Sequence, residues 1–159
     1  MATAADVSWG GPSGTFNLRA AAVIGRGDQV LLCTVDGLGY WFLPGGRVRF
    51  GEPTDTALAR ELAEELGHQL RIGDLAFVVE NIVVGGGIQH EIGLYYHVAW
   101  PGALAPDDLR RGSEPGHRFS WMTVPTLASA RFEPAGLVPL LQARPDTLKH
   151  IVLGRPESQ

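Results

Sequence analysis

The chain has a single cysteine, Cys33, so no internal disulfide can form. Its setting in the apolar run VLLCTV reads as a buried core thiol. Long apolar runs are missing too: none approaches the roughly 18 residues that a membrane-spanning helix needs. The opening MATAADVSWGGPSG lacks both the positive region and the apolar stretch of a signal peptide. No membrane partner is therefore expected, and the cytoplasm is the expected compartment. Basic residues are not in excess, with 13 Lys and Arg against 17 Asp and Glu for a net charge of −4. That balance argues against nonspecific nucleic-acid binding, which needs a basic face. Internal repeats and long linkers are absent, and 159 residues suit one domain with a real core. Gly and Pro, 21 and 11 residues, stay below the share that marks low-complexity chains, so the domain should be ordered but rich in loops. Residues 1–14 read as either a flexible arm or one anchored through Trp9 on the domain or a neighbouring subunit, and residues 15–159 as the single domain.

What the chain does have is concentrated in GGRVRFGEPTDTALARELAEELGH, from Gly45 to His68. TALARELAEEL is made of good helix formers and has no breaker, so a helix is expected over 54–66. Glu52 or Thr54 is the expected N-cap, Pro53 is tolerated in the first turn, and Gly67 suits the C-terminal stop. Leu58, Leu62 and Leu66 form an apolar stripe flanked by Ala59 and Ala63. Glu61, Glu64 and Glu65 lie on the adjoining face, and their i, i+3, i+4 relation brings three carboxylates within reach of one point. Such a set suits a hard cation, although a solvated acidic face has the same periodicity.

The spacing separates the two readings. Gly46, Glu52, Arg60, Glu61, Glu64, Glu65 and Gly67 fall in the order G-x5-E-x7-R-E-U-x-E-E-x-G-U, with Leu62 at the first apolar position U. This stretch resembles the Nudix box of the Nudix hydrolase superfamily. A chance match at all fixed positions is on the order of one in a million for a chain of this length. His68 departs from the pattern by standing where a second apolar residue is usual. Trp41-Phe42-Leu43-Pro44 leading into Gly45-Gly46 also resembles the usual approach to the box.

The resemblance implies an α/β fold: a Nudix-type α/β/α sandwich with a central mixed sheet and a loop–helix–loop catalytic motif. It implies Mg²⁺ or Mn²⁺ held by Glu61, Glu64 and Glu65 with Glu52 in support, and Arg60 orienting the glutamates. Gly45, Gly46, Arg47 and Arg49 are the expected substrate-binding residues. For the general base the candidates are Glu61 and Glu114, then His90 and His117. The implied activity is a metal-dependent pyrophosphohydrolase cleaving a nucleoside diphosphate joined to another moiety, such as ADP-ribose. Two alternatives remain: a nucleoside triphosphate pyrophosphohydrolase with a housecleaning role, and a non-catalytic nucleotide sensor. A nucleotide-type small molecule is the expected partner, with a homodimer common in the resembled family.

The remaining segments read as scaffold. RAAAVIG and VLLCTV, joined by GRGDQ, form a hairpin pattern, and RVRF reads as a short strand. LRIGDLAFVVENIVV and HEIGLYYHVAW form a second pair, interrupted at Gly73-Asp74 and joined through Gly85-Gly86-Gly87. That triple glycine is no P-loop, because no Gly-Lys-Ser/Thr follows it; it reads as a hairpin tip over the substrate. Glu80, His90, Glu91 and His97 read as edge residues. HRFSWMTV is an expected strand, PAGLVPLLQARP a short helix, and KHIVLG an edge strand. Trp41, Phe77, Tyr95, Tyr96 and Phe132 read as core.

Overall fold

Ala20, Ala21, Ala22 and Ile24 are fully buried in one strand, and a strand can bury consecutive residues only when both of its faces are covered. The computed structural model describes residues 4–101 and 115–154 and accounts for both covers. Its strands are β1 (Ser8–Gly11), β2 (Gly14–Arg26), β3 (Gln29–Val35), β4 (Gly45–Arg47), β5 (Ile72–Val84), β6 (Ile88–Ala99), β7 (His117–Thr123) and β8 (Lys149–Leu153). The helices are α1 (Thr54–Leu66) and α2 (Val138–Ala143), the latter preceded by a 3-10 turn at Ala135–Leu137. The sheet is mixed, in the order β7-β3-β2-β6-β5-β8, with β1 and β4 added along β2. The central β2–β6 pair is parallel and runs from Thr15↔Gln89 to Gly25↔Ala99.

Ala20, Ala22 and Ile24 face the α1 side, where Ala57, Leu58, Leu62 and Leu66 close the core. Ala21 faces the other side with Phe77, Val79, Tyr95, Phe132, Leu137 and Leu141, under the second helical segment. The molecule is thus the expected α/β/α sandwich. Among the described residues no helix is long and apolar enough to cross a membrane.

Several local expectations need correction. Neither Glu52 nor Thr54 caps α1: Pro53 occupies the N-cap and no side chain caps the helix. Glu52 is drawn away by the Arg49 N–H at 3.1 Å, and the Thr54 hydroxyl lies 2.6 Å from the Tyr96 hydroxyl. The stretch expected as a flexible arm contains β1, paired with β2 from Ser8↔Asn17 to Gly11↔Gly14. Backbone bonds Val7 N–H to Val48 O and Phe50 N–H to Ala5 O also lay this stretch along the segment after β4. For the same reason the strand expected through Phe50 ends at Arg47, while Arg49 keeps only a bridge to Asp6. Gly73-Asp74 does not interrupt its strand; β5 runs through as an irregular stretch, with register shifts between Ile72 and Phe77.

Gly67 ends α1 in the left-handed region at φ 71°, its N–H bonded to Ala63 O. A side chain there strains the backbone, so Gly67→Ala is expected to cost about 1 kcal/mol in urea unfolding. His68 then meets Trp100 edge-on at 6.0 Å, and Trp100 meets Trp121 at 5.6 Å. An imidazole therefore packs against Trp100 where the resembled pattern has a bulky apolar residue.

Candidate functional site

The last turns of α1 lie against the Leu43–Arg47 segment, and two clamps hold that segment in place. From β2, Arg19 Nη2 donates to Gly45 O at 2.6 Å and to Leu43 O at 3.4 Å. From α1, Glu65 Oε2 accepts the Gly45 N–H at 3.2 Å. Gly45 has φ 136°, and a Cβ on it would strike Ala20 O and the Ala21 backbone. Gly46 has a different role: its missing side chain is the space that the Glu61 carboxylate occupies. The first glycine is thus required by strand approach and the second by the acid beside it.

Arg60 organises the acids. Its Nε donates to Glu52 Oε1 at 2.9 Å and its Nη2 to Glu52 Oε2 at 3.0 Å, a two-point pairing. Nη1 of the same guanidinium donates to Glu61 Oε1 at 2.5 Å and reaches Glu64 Oε2 at 3.5 Å. Glu61 and Glu64 therefore converge on one cationic nitrogen. The Glu64 side chain is 35% exposed and Glu61 15%, so the convergence point lies at the surface end of the cluster. Its oxygen donors fit a hard divalent cation such as Mg²⁺ or Mn²⁺, which takes carboxylates and keeps waters for phosphate contacts. The Arg60 guanidinium shows that a positive charge is already held at that point.

Glu65 differs from its two neighbours. It is buried, and its Oε1 stands 3.8 Å from His117 Nε2 at the start of β7. Among the described residues, the three ligand-type side chains whose donor atoms all lie within 4.8 Å of one another are Cys33, Glu65 and His117. Glu61 and Glu64 bond to Arg60, while one oxygen of Glu65 is taken by the Gly45 N–H.

The Arg60 hydrogen bonds are the main cause that holds the Glu52 carboxyl below its ordinary value of 4.5; burial opposes them and the Arg49 amide adds to them. Arg60 is correspondingly held above its ordinary range, chiefly by Glu52. A carboxyl depressed on folding contributes stability that is present above its unfolded pKa and lost as pH falls through the folded one. Wild-type stability is therefore expected to fall as pH drops below about 4.5, and Glu52→Gln is expected to flatten that part of the profile. Urea melts at stepwise lower pH read the difference.

The other expected residues are placed as follows. Arg47 is exposed, 3.9 Å from Asp6, and its backbone O accepts from Arg60 Nη2. Arg49 contributes its N–H to Glu52. The N–H of Gly45, one of the expected substrate-binding residues, is taken by Glu65. Glu114 lies outside the described residues. Glu80 pairs with His150 at 2.8 Å on the β5–β8 edge.

His90 and Glu91 line a cavity of about 560 Å³ together with Asn17, Arg19, Tyr95 and Arg131. Burial pushes the Tyr95 phenol up to about 12, so it remains a hydroxyl donor at neutral pH. Arg19 belongs both to this cavity and to the clamp on Gly45, which joins the cavity to the acidic cluster. A second cavity of about 380 Å³, lined by Phe77, His97, Leu140 and Arg144 among others, touches no box residue. The reading of the sequence missed Arg19; its signal was a lone charge opening the apolar run RAAAVIG.

Comparison with known proteins agrees with this geometry. The family described as NUDIX domain matches residues 16–141. A Mycobacterium tuberculosis protein named "Putative 8-oxo-dGTP diphosphatase 2" is 63% identical over 51 residues, which is 30% of this chain and 35% of that protein. That match thus spans about a third of the relative's length. A "MutT-like protein" of Streptomyces ambofaciens is 30% identical over 106 residues, covering 58% of this chain and 66% of that protein. The crystal structure of a MutT NUDIX hydrolase from Burkholderia pseudomallei is 31% identical, with 69% and 84% of the two chains covered and a TM-score of 0.57. The family match runs from β2 into α2 and takes in the whole acidic cluster, and by it this chain belongs to the NUDIX family.

Proposed function

We propose that this chain is a divalent-metal-dependent pyrophosphohydrolase of nucleotides. The observation that carries the reading is the convergence of Glu61 and Glu64 on a single Arg60 nitrogen, beside a loop that Arg19 ties to a cavity of nucleotide size. Glu61, Glu64 and Glu65 are assigned to hold Mg²⁺ or Mn²⁺, with Glu52 in support. When bound, the metal neutralises phosphate oxygens and lowers the pKa of a water.

The chain's own residues do the remaining work. Arg60 keeps Glu52 ionised and holds Glu61 in place. Gly46 lets the loop lie against Glu61, and Arg19 fixes the loop from below. Glu61 is assigned the proton of the attacking water: a P–O bond forms to that water and the bridging P–O bond breaks. The leaving phosphate departs with the bridging oxygen.

Between the two substrate classes that the box admits, the name of the mycobacterial relative favours nucleoside triphosphates, such as 8-oxo-dGTP, over nucleoside diphosphates joined to another group. A panel of ADP-ribose, NADH, dinucleoside polyphosphates, nucleotide sugars and (deoxy)nucleoside triphosphates, with and without Mg²⁺ or Mn²⁺ and read by mass spectrometry, tests both. Metal-dependent release of a nucleoside monophosphate and pyrophosphate from triphosphates is expected. Cleavage of ADP-ribose alone would move the substrate class. Tight binding of one compound without cleavage of any would make the domain a sensor.

A further inference from the structure

Cys33, Glu65 and His117 come from three different elements, β3, α1 and β7, yet their donor atoms lie within 4.8 Å of one another. The sheet register explains the approach: Cys33 pairs with Phe119 and Val35 with His117, so the thiol and the imidazole belong to neighbouring positions of one strand pair. Cys33 and Glu65 are buried, while His117 keeps a partly open side chain. The Glu65 carboxylate is fixed from its other oxygen by the Gly45 N–H. A thiol, an imidazole and a carboxylate on rigid strands and a helix make a donor set unlike the all-oxygen one on Glu61 and Glu64.

The separation of 3.8 Å between Glu65 Oε1 and His117 Nε2 suits an ion pair and is also close to the spacing of two donors on one metal. His117 Nε2 and Glu65 Oε1, at 3.8 Å, are beyond hydrogen-bond length. Around a tetrahedral Zn²⁺ with bonds of about 2.0–2.3 Å, neighbouring donors stand about 3.3–3.6 Å apart.

We propose that Cys33, Glu65 and His117 bind one borderline-soft divalent transition metal, Zn²⁺ in the first instance, at a site separate from the hard-cation site but sharing Glu65 with it. Three protein ligands leave a fourth position open, as in zinc sites that exchange a water. Binding converts the Cys33 thiol to a thiolate, with its proton released to solvent. Because one carboxylate serves both sites, occupancy by Zn²⁺ withdraws Glu65 from Mg²⁺, and the two metals exclude one another. This exclusion rests on the assignment of Glu65 under the proposed function; the metal site itself does not.

The test is Co²⁺ titration of the metal-free full chain, read by the near-ultraviolet sulfur-to-cobalt charge-transfer band. Cys33 is the only cysteine, so any such band reports that residue. The band is expected to saturate at one Co²⁺ per chain and to be bleached by one equivalent of Zn²⁺. Cys33→Ala is expected to abolish it, and His117→Gln to weaken Co²⁺ binding about tenfold or more. Circular dichroism of both variants, with Cys33→Ser as the gentler core change, distinguishes lost binding from lost folding. A folded wild-type chain that gives no band overturns the site. Added Mg²⁺ is expected to raise the Co²⁺ needed for half the band; a band indifferent to Mg²⁺ overturns the shared Glu65. Loss of hydrolysis across the substrate panel with the band intact would count against the proposed function alone.

Discussion

Glu64→Gln is expected to lower kcat by about a thousandfold at saturating Mg²⁺ or Mn²⁺, equivalent to about 4 kcal/mol of transition-state stabilisation. The side chain is 35% exposed and its hydrogen bond to Arg60 is long, at 3.5 Å, so that bond contributes little to folding. Unfolding free energy should accordingly stay within about 0.5 kcal/mol of wild type. The substitution keeps the shape and removes the charge, which isolates the role in holding the cation. Steady-state kinetics over a metal titration, with urea melts alongside, provide the check. Full activity in the variant would remove Glu64 from the metal site, and a large loss of stability would show that its bond to Arg60 had been undervalued.

The second large effect concerns a residue without a side chain. Gly46→Ala is expected to reduce kcat/KM by about a hundredfold or more, because the added Cβ falls on the Glu61 carboxylate. Gly46 lies in β4 and is not among the glycines of positive φ, so the backbone accepts alanine and the damage is confined to the contact. Gly51→Ala provides the opposite case. Gly51 has φ 78° and open space where its Cβ would go, so the cost there is backbone strain of about 1 kcal/mol with activity retained. Kinetics and thermal melts on both variants separate the two origins. Equal losses of activity would mean that the loop fails as a whole and that the contact with Glu61 is not the cause.

These two expectations differ in how far the sequence could foresee them. Glu64 was legible because an α-helix repeats, and i, i+3, i+4 spacing places acids on one side whatever the rest of the chain does. The limits of α1 were legible for the same reason, since the run has no breaker before Gly67. The spacing could not show that Glu65 bonds to Gly45 while Glu61 and Glu64 bond to Arg60. Side-chain direction within one face depends on partners, and Gly45 comes from another element. Nor could it show that Arg49 and Thr54 spend their polar groups on Glu52 and Tyr96. Capping residues are chosen locally, but a competing partner across the loop or on β6 overrides the local preference.

By itself the sequence determined the helix, the identity and order of the acids, the main strand pairs and the family resemblance, because each depends on periodicity or spacing along the chain. Only the tertiary structure decided which acids share a cation-holding point, that residues 8–11 add a strand to β2, and that Arg19 braces the loop. It alone brought Cys33 to Glu65 and His117. Those three residues lie tens of positions apart, and no local preference encodes their meeting. It follows from how β3 pairs with β7 and from where α1 rests on the sheet, which the burial of two apolar faces sets as a whole.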